Sequence, residues 1–155
     1  MERGVRGFAK AVKGIAEMDR WSPVLFVLGV LNLANAFWML FAPENWYVNL
    51  PAGVPDTGPL NTHFVRDIGC AFLVAGVGLI WAAATSHANV RLACVVLAAV
   101  FLGGHAAVHL LDLAQGTLGA RHWLLDLPGV FVPALLLAAL AVHFGRRAKP
   151  ERRFP

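Results

Sequence analysis

The sequence predicts an all-α integral membrane protein, a bundle of four transmembrane helices with both termini in the cytoplasm. Composition is the first observation: the 155 residues are 58% hydrophobic and 14% charged, with a mean hydropathy of +0.63. Length is the second, because four apolar runs of about 17–25 residues can each cross a hydrocarbon core of about 30 Å. The third is charge placement. Basic residues gather at the two chain ends, and Lys and Arg collect on the cytoplasmic side of membranes.

The chain begins with a basic segment, residues 1–22, whose apolar residues recur at helical spacing. This pattern favours an amphipathic helix on the inner membrane surface, and a solvated tail that only sets the topology is the alternative. No small-residue cleavage site follows the first apolar run, so we expect that run to remain as a span. A second basic segment, residues 145–155, is predicted to form a cytoplasmic tail.

The membrane domain is predicted to cover residues 23–144. Its four expected spans are 23–42, 64–84, 92–111 and 124–144. All Lys and Arg residues except Arg66 and Arg121 then lie on the cytoplasmic side, which orients the bundle. Although the net charge is +4 and the pI about 9.7, this placement indicates a bilayer and no nucleic acid as the partner.

Two other features follow the spans. The proline-rich loop 43–62 is expected to form an ordered cap that could cover the outer ends of the helices. Cys70 and Cys94 fall near opposite ends of their spans, so we expect both thiols to be free. Small residues suit close packing of membrane helices, and we assign that role to Gly69, Gly76, Gly78, Gly103 and Gly104.

Polar stripes in spans two to four converge on the outer side of the predicted bundle. Histidines and aspartates recur there at spacings of three or four residues, which places them on one face of each helix. Ionisable groups are costly in a membrane and tend to mark function. The predicted site comprises His63, Asp67, His105, His109, Asp112, His122 and Asp126.

These residue types favour a divalent metal, with zinc or iron as the expected ion. Seven potential ligands would suffice for a dinuclear centre. A bound metal would activate water or dioxygen against a lipid-like or apolar substrate, making the protein a hydrolase or oxidoreductase. Asp112 or Asp126 would act as general base, and Arg66 would clamp an anionic group. Arg66 pairing with Asp67 or Asp126 is the alternative.

Other functions fit the same residues. The cluster could be a metal-free hydrogen-bonded and ion-paired network, a proton path, or the axial ligands of a haem. The protein would then be an accessory subunit of a larger membrane complex, a homo-oligomer, or an electron-transfer protein that binds haem or quinone. The amides of Asn32 and Asn35 in span one are expected to join membrane helices, with substrate contact as the alternative.

The strings "NTHFVRDIGCAFLVAG" and "HAAVHLLDL" resemble a recurrent pattern in small bacterial four-span membrane proteins that are DoxX-like in size and topology. The resemblance covers spans two and three. It implies only a helical bundle in the bacterial inner membrane and assigns no activity to any residue. In that membrane, the topology predicted from charge would place the polar site toward the periplasm.

Overall fold

The computed structural model describes residues 20–148, and all regular secondary structure within that range is helical. In chain order the elements are α1 (Ser22–Phe41), α2 (Pro43–Asn49), a 3-10 turn (Val54–Thr57), α3 (Thr62–Ala84), α4 (Ala88–Gln115), α5 (His122–Leu125), a π-helical turn (Leu127–Phe131) and α6 (Val132–Arg147). Most of the predicted N-terminal segment 1–22 and the end of the predicted tail 145–155 lie outside the described residues.

Four helical stretches are long and apolar enough to cross a membrane, which confirms the all-α class and the predicted number of spans. They are Ser22–Phe41, Thr62–Ala84, Ala88–Gln115 and Leu127–Arg147. The third extends four residues beyond the predicted span 92–111 at each end. The first and last turns of this helix contain polar residues, so a prediction from apolar composition alone did not include them. The helix stops where Gly116 adopts the left-handed conformation at φ 75°, which glycine accepts readily.

The closest helix contact joins α1 to α3, which run antiparallel. A Cβ added to Gly76 would lie 2.8 Å from the Leu33 side chain and 3.0 Å from the carbonyl oxygen of Gly29. A Cβ at Gly69 would lie 3.1 Å from the Cβ of Met39. The predicted packing role of Gly69 and Gly76 is therefore confirmed, because the two backbones can approach this closely only without side chains.

The same prediction was wrong for Gly103 and Gly104 of α4. Nothing lies within 4 Å of the position a Cβ would take at either residue. The core face of α4 is formed instead by residues such as Ala98, Leu102 and Ala106, which are buried. The two glycines lie on other faces of the helix, a distinction that depends on which face meets the neighbouring helices.

The main core is an apolar cluster to which all four spans contribute, with Leu25, Leu79, Leu102 and Leu137 among its fully or almost fully buried members. A second, smaller cluster joins α1, α2 and α3 through the buried side chains Met39, Trp46 and Val65. We call the end of the bundle formed by Phe41, Thr62, Gln115 and Leu127 the histidine end. The end formed by Ser22, Ala84, Ala88 and Arg147 is the arginine end. Cys70 and Cys94 are both free, as predicted.

The loop between α1 and α3 is an ordered cap on the histidine end. The indole Nε1 of Trp46 in α2 donates to the Asn35 Oδ1 of α1 at 2.8 Å, and the Tyr47 hydroxyl donates to the carbonyl of Gly58 at 2.7 Å. Asn35 therefore holds the cap, whereas we expected its amide to join two spans. These bonds fix the loop at both its beginning and its end.

Candidate functional site

The site lies at the junction between α5 and α6. The carbonyl oxygen of Asp126 accepts from the backbone N–H groups of both Val130 and Phe131, at 2.8 and 3.1 Å, so the chain makes a π-helical turn there. Pro133 has no N–H to donate, which interrupts the regular helical pattern just beyond this turn. Turns of this kind recur at functional sites. Here the turn separates Asp126 from the regular helix α6.

Five side chains at this end form a continuous series of hydrogen bonds and ion pairs, which we call the polar chain: Arg121, Asp56, His122, Asp126 and His109. Arg121 donates to Asp56 Oδ2, and the Nε2 of His122 lies 2.8 Å from the same oxygen. The Nδ1 of His122 lies 3.3 Å from Asp126 Oδ1. The other oxygen of Asp126, Oδ2, lies 2.8 Å from the Nδ1 of His109. The carboxylate of Asp126 therefore joins two histidines from different elements.

The polar chain runs from solvent into the bundle. The Arg121 side chain is 65% exposed and that of Asp56 34%, whereas His122 and Asp126 are fully buried and His109 is 15% exposed. A buried charge is tolerated only when it is paired and hydrogen-bonded. Each carboxylate here contacts two basic side chains, so the arrangement meets that condition.

The charge state of His122 follows from its two partners. Each ring nitrogen faces a carboxylate oxygen, and only an imidazolium can donate a hydrogen bond to both. Burial lowers the pKa of His122, but the hydrogen bonds to Asp56 and Asp126 outweigh burial and raise that pKa above its ordinary value. With Arg121 and His122 charged, two cations balance two carboxylates.

Asp56 responds in the opposite direction. The hydrogen bond from Arg121, followed by that from His122, holds the pKa of the Asp56 carboxyl below its ordinary value. Asp56 is placed by the cap, where Gly53 has a left-handed φ of 67°. A Cβ on Gly53 would lie 3.3 Å from the Cε1 of His122 and 3.5 Å from Asp56 Oδ2, so glycine lets the cap approach the buried ring.

Two imidazoles end the series inside the bundle. The hydrogen bond between His109 Nδ1 and Asp126 leaves the Nε2 of His109 as its available ring nitrogen. The His105 ring lies beside it, with ring centroids 4.7 Å apart, and packs edge-on against Phe72 of α3. His105 precedes the end of α4 by ten residues, which places it about 15 Å along the helix.

The structure does not bring the other predicted residues into the polar chain. His63 and Asp67 form their own pair at 3.4 Å, with side chains 88% and 59% exposed. The Nε of Arg66 donates to the carbonyl of Leu40 at 3.2 Å and so ties α3 to α1. Asp112 is half-buried at the end of α4, where its carbonyl accepts from Thr117 at 2.9 Å.

Sequence reasoning missed Asp56 and its role. The available signal was a carboxylate in a proline-rich loop that carries no Lys or Arg and was already expected to cover the site. A buried histidine needs a partner for each ring nitrogen, so such a loop carboxylate was a candidate for His122. Within residues 20–148, no group of three or more His, Cys, Asp or Glu side chains has an arrangement that could hold a metal ion.

No family model, curated protein or solved structure matches the chain. What the site does must therefore be argued from its own geometry.

Proposed function

We propose that this multi-pass membrane protein is a proton relay, in which the polar chain exchanges protons between the aqueous phase at the histidine end and the imidazoles of His109 and His105 inside the bundle. The observation that carries the proposal is the bridging position of Asp126. Its buried carboxylate contacts the Nδ1 atoms of both His109 and His122, and His122 continues to the partly exposed Asp56. Chains of His and Asp within membrane bundles serve as proton relays.

The chemistry of each link supports transfer. Imidazole binds a proton on one nitrogen and releases one from the other, so it passes protons without leaving its place. Asp126 can accept a proton from either histidine through its two oxygens. Arg121 stays charged throughout and stabilises the ionised form of Asp56 at the entrance. The inner end, beside Phe72, suits an apolar molecule that arrives from the bilayer and exchanges a proton there.

Orientation is part of the proposal. In the sequence, all Lys and Arg except Arg66 and Arg121 precede the first span, follow the last core residues of the fourth or adjoin the link between the second and third, so both termini would lie in the cytoplasm of a bacterium. The histidine end would then face the periplasm across the inner membrane.

The test measures proton exchange at a single ring. In nanodiscs, NMR of protein with 15N-labelled histidine reports the exchange of the ring N–H of His109 with water. Asp126→Asn keeps the shape of the side chain but removes the proton acceptor, and we expect exchange to slow by about 10²-fold or more. Asp67→Asn makes the same change in the exposed pair and should leave the rate unchanged. An unaltered rate in Asp126→Asn would refute the relay.

A divalent metal site, with zinc or iron as the expected ion, is the second candidate. The observation in its favour is that metal-bound imidazoles usually donate their other N–H to a carboxylate, as His109 does to Asp126. The Nε2 of His109 and the neighbouring His105 would then bind the metal, and Asp126 would orient His109. The chemistry would be that of a hydrolase or oxidoreductase with a lipid-like substrate.

Elemental analysis separates the two candidates. Protein purified without chelators is compared with His109→Ala and with His63→Ala, whose ring is exposed. Stoichiometric metal that disappears only in His109→Ala supports the metal site. A visible haem spectrum would replace both candidates with an electron-transfer protein. Stoichiometric co-purification of another membrane protein, with no metal and no slowing of exchange in Asp126→Asn, would indicate an accessory subunit.

A further inference from the structure

We propose that Arg121 and His122 form a binding site for the carboxylate group of an amphiphilic acid, and that Asp56 occupies this site as a built-in competitor until such a molecule arrives. Both donor residues lie at the histidine end, where Arg121 directly precedes α5 and His122 is its first residue. The proposal concerns the outer part of the polar chain and stands whether or not protons pass along that chain.

The present occupant of the site shows which chemical group fits it. The Nε of Arg121 donates to Asp56 Oδ2 at 3.0 Å, its Nη2 donates to the same oxygen, and the Nε2 of His122 lies 2.8 Å from it. All three of these contacts involve one oxygen of Asp56. A free carboxylate can turn so that each of its oxygens accepts from a different donor, which is the arrangement that arginine favours. A free carboxylate can therefore replace Asp56.

Asp56 lies on a short segment, residues 53–58, which we call the strap. Its central part is the 3-10 turn Val54–Thr57, which contains no buried residue. Gly53 and Gly58 at the two ends have φ values of 67° and 133°, a region of backbone conformation that glycine enters readily. The bond from the Tyr47 hydroxyl to the carbonyl of Gly58 holds the far end in place. Release of Asp56 therefore requires movement of one surface turn and no change in the core.

The surroundings of the site favour a carboxylate that carries an apolar chain. The side chain of Arg121 is exposed, so an incoming acid can reach it while Asp56 is still bound. Trp123 and Leu124 follow His122 in α5, and both are exposed. They lie just before the fourth span begins, at the level where aromatic residues meet the headgroups of a bilayer. An acid bound at Arg121 would have this apolar surface beside it for its chain.

The test is NMR of protein with 15N-labelled histidine in phosphatidylcholine nanodiscs, titrated with decanoate, decanol or acetate. The ring signals of His122 report binding. Asp56→Ala removes the competitor, so decanoate should bind about tenfold more tightly than in wild type. In the Asp56→Ala background, Arg121→Gln should weaken decanoate binding about tenfold or more, because the main donor is lost. Arg66→Gln changes another exposed arginine of the same end, whose Nε donates to a carbonyl, and should stay within about twofold.

A second measurement follows Asp56 in the wild-type protein. Saturating decanoate should move the 13C signal of the Asp56 carboxyl toward its position in ligand-free Arg121→Gln, because the carboxylate has lost its bond to Arg121 in both cases. A shifted His122 signal with an unchanged Asp56 signal would mean that decanoate binds beside the strap and does not replace Asp56, which would overturn the proposal.

Other outcomes also overturn the proposal. Equal decanoate affinity in wild type and Asp56→Ala would mean that Asp56 does not compete, and equal weakening by both arginine variants would mean general attraction to a charged surface. Decanol that shifts His122 as decanoate does would show that the carboxylate is not recognised. Acetate that binds as tightly as decanoate would identify a small acid from solution, and no amphiphile, as the ligand. If Asp56→Ala does not fold, Asp56→Asn removes the charge at constant volume and should also bind decanoate more tightly. None of these measurements uses the exchange rate of His109, so failure of this site and failure of the relay are distinguishable.

Discussion

Two His–Asp pairs with the same spacing occupy opposite environments in this molecule. His63 and Asp67 lie in the first two turns of α3. His122 is the first residue of α5, and Asp126 follows the last, so each pair is four residues apart. Their nitrogen–oxygen distances are 3.4 and 3.3 Å. The first pair has side chains 88% and 59% exposed, while both side chains of the second are 0% exposed.

The difference comes from the elements around each pair. Helical spacing alone brings a residue and its fourth neighbour together, so both pairs form. The buried pair has further partners, because α4 brings His109 to Asp126 and the cap brings Asp56 to His122. The His–Asp spacing therefore brings each pair together, and the covering elements make one of the two pairs part of the polar chain.

The largest expected effect is the loss of Asp126. Asp126→Ala leaves the His122 imidazolium buried beside a single carboxylate, and breaking a buried pair this way costs about 3–5 kcal/mol. Asp67→Ala removes the matching carboxylate from the exposed pair, where such contacts contribute below about 0.5 kcal/mol. The free energy of unfolding in detergent, measured by denaturant titration, checks both values.

Similar losses in the two variants would show that the pairs are equivalent and that the burial of Asp126 has no energetic role. If Asp126→Ala does not fold, Asp126→Asn serves instead. It keeps the side-chain volume, and we expect it to lose about 1–3 kcal/mol, still more than Asp67→Asn.

The sequence allowed the four spans to be predicted, because their signal is local hydrophobicity over about 20 residues. Helical periodicity also predicted that His109, His122 and Asp126 lie at one depth, and the structure brings these three side chains into contact. It could not separate the buried pair from the exposed pair, because burial of His122 depends on a cap more than 60 residues earlier in the chain. The sequence likewise could not show that Gly76 lies at a helix contact and Gly103 does not, because that depends on which face each helix turns toward its neighbours.

The next effect concerns the cap that buries the second pair. Gly53→Ala forces an alanine into a left-handed conformation, at about 1–2 kcal/mol, and places its Cβ against the His122 ring. Gly119→Ala is the control, because nothing lies within 4 Å of its added Cβ. Thermal unfolding should show a lower midpoint for Gly53→Ala only. Equal midpoints would mean that the cap adjusts without affecting His122.

A smaller effect is a pH dependence specific to the buried pair. The folded pKa of His122 is raised above its ordinary 6.5, so its contribution to stability is complete below about pH 6.5 and is lost as the pH rises through the folded value. The pKa of Asp56 is lowered below 3.8, so its contribution holds above about pH 3.8 and is lost as the pH falls through the folded value. Unfolding midpoints measured across the pH range should therefore decline at alkaline pH, where His122 loses its charge, and at acid pH, where Asp56 is protonated.

His122→Gln isolates the alkaline side of this profile. The variant should have a lower unfolding midpoint than wild type at pH 6. The difference between the two midpoints should become smaller as the pH rises, because His122 of wild type then loses its charge, whereas glutamine is neutral at every pH. The difference in unfolding midpoint between Asp67→Asn and wild type should stay the same across the pH range. A constant gap between His122→Gln and wild type would mean that His122 is not charged in the folded protein.

The smallest expected effect lies at the exposed entrance of the polar chain. Arg121→Gln removes the main cause that holds the pKa of Asp56 down, so that pKa should move back toward its ordinary value and the acid-side decline should begin at higher pH. Arg66→Gln removes an arginine from the same end that bonds to a carbonyl, and it should leave the decline in place. Added salt distinguishes the exposed ion pair from the buried one, because it screens the Arg121–Asp56 pair far more than the His122–Asp126 pair. The effect of Arg121→Gln should therefore shrink at high ionic strength while that of Asp126→Ala persists. If both shrink together, water and ions reach Asp126, and the two His–Asp pairs differ less than their burial indicates.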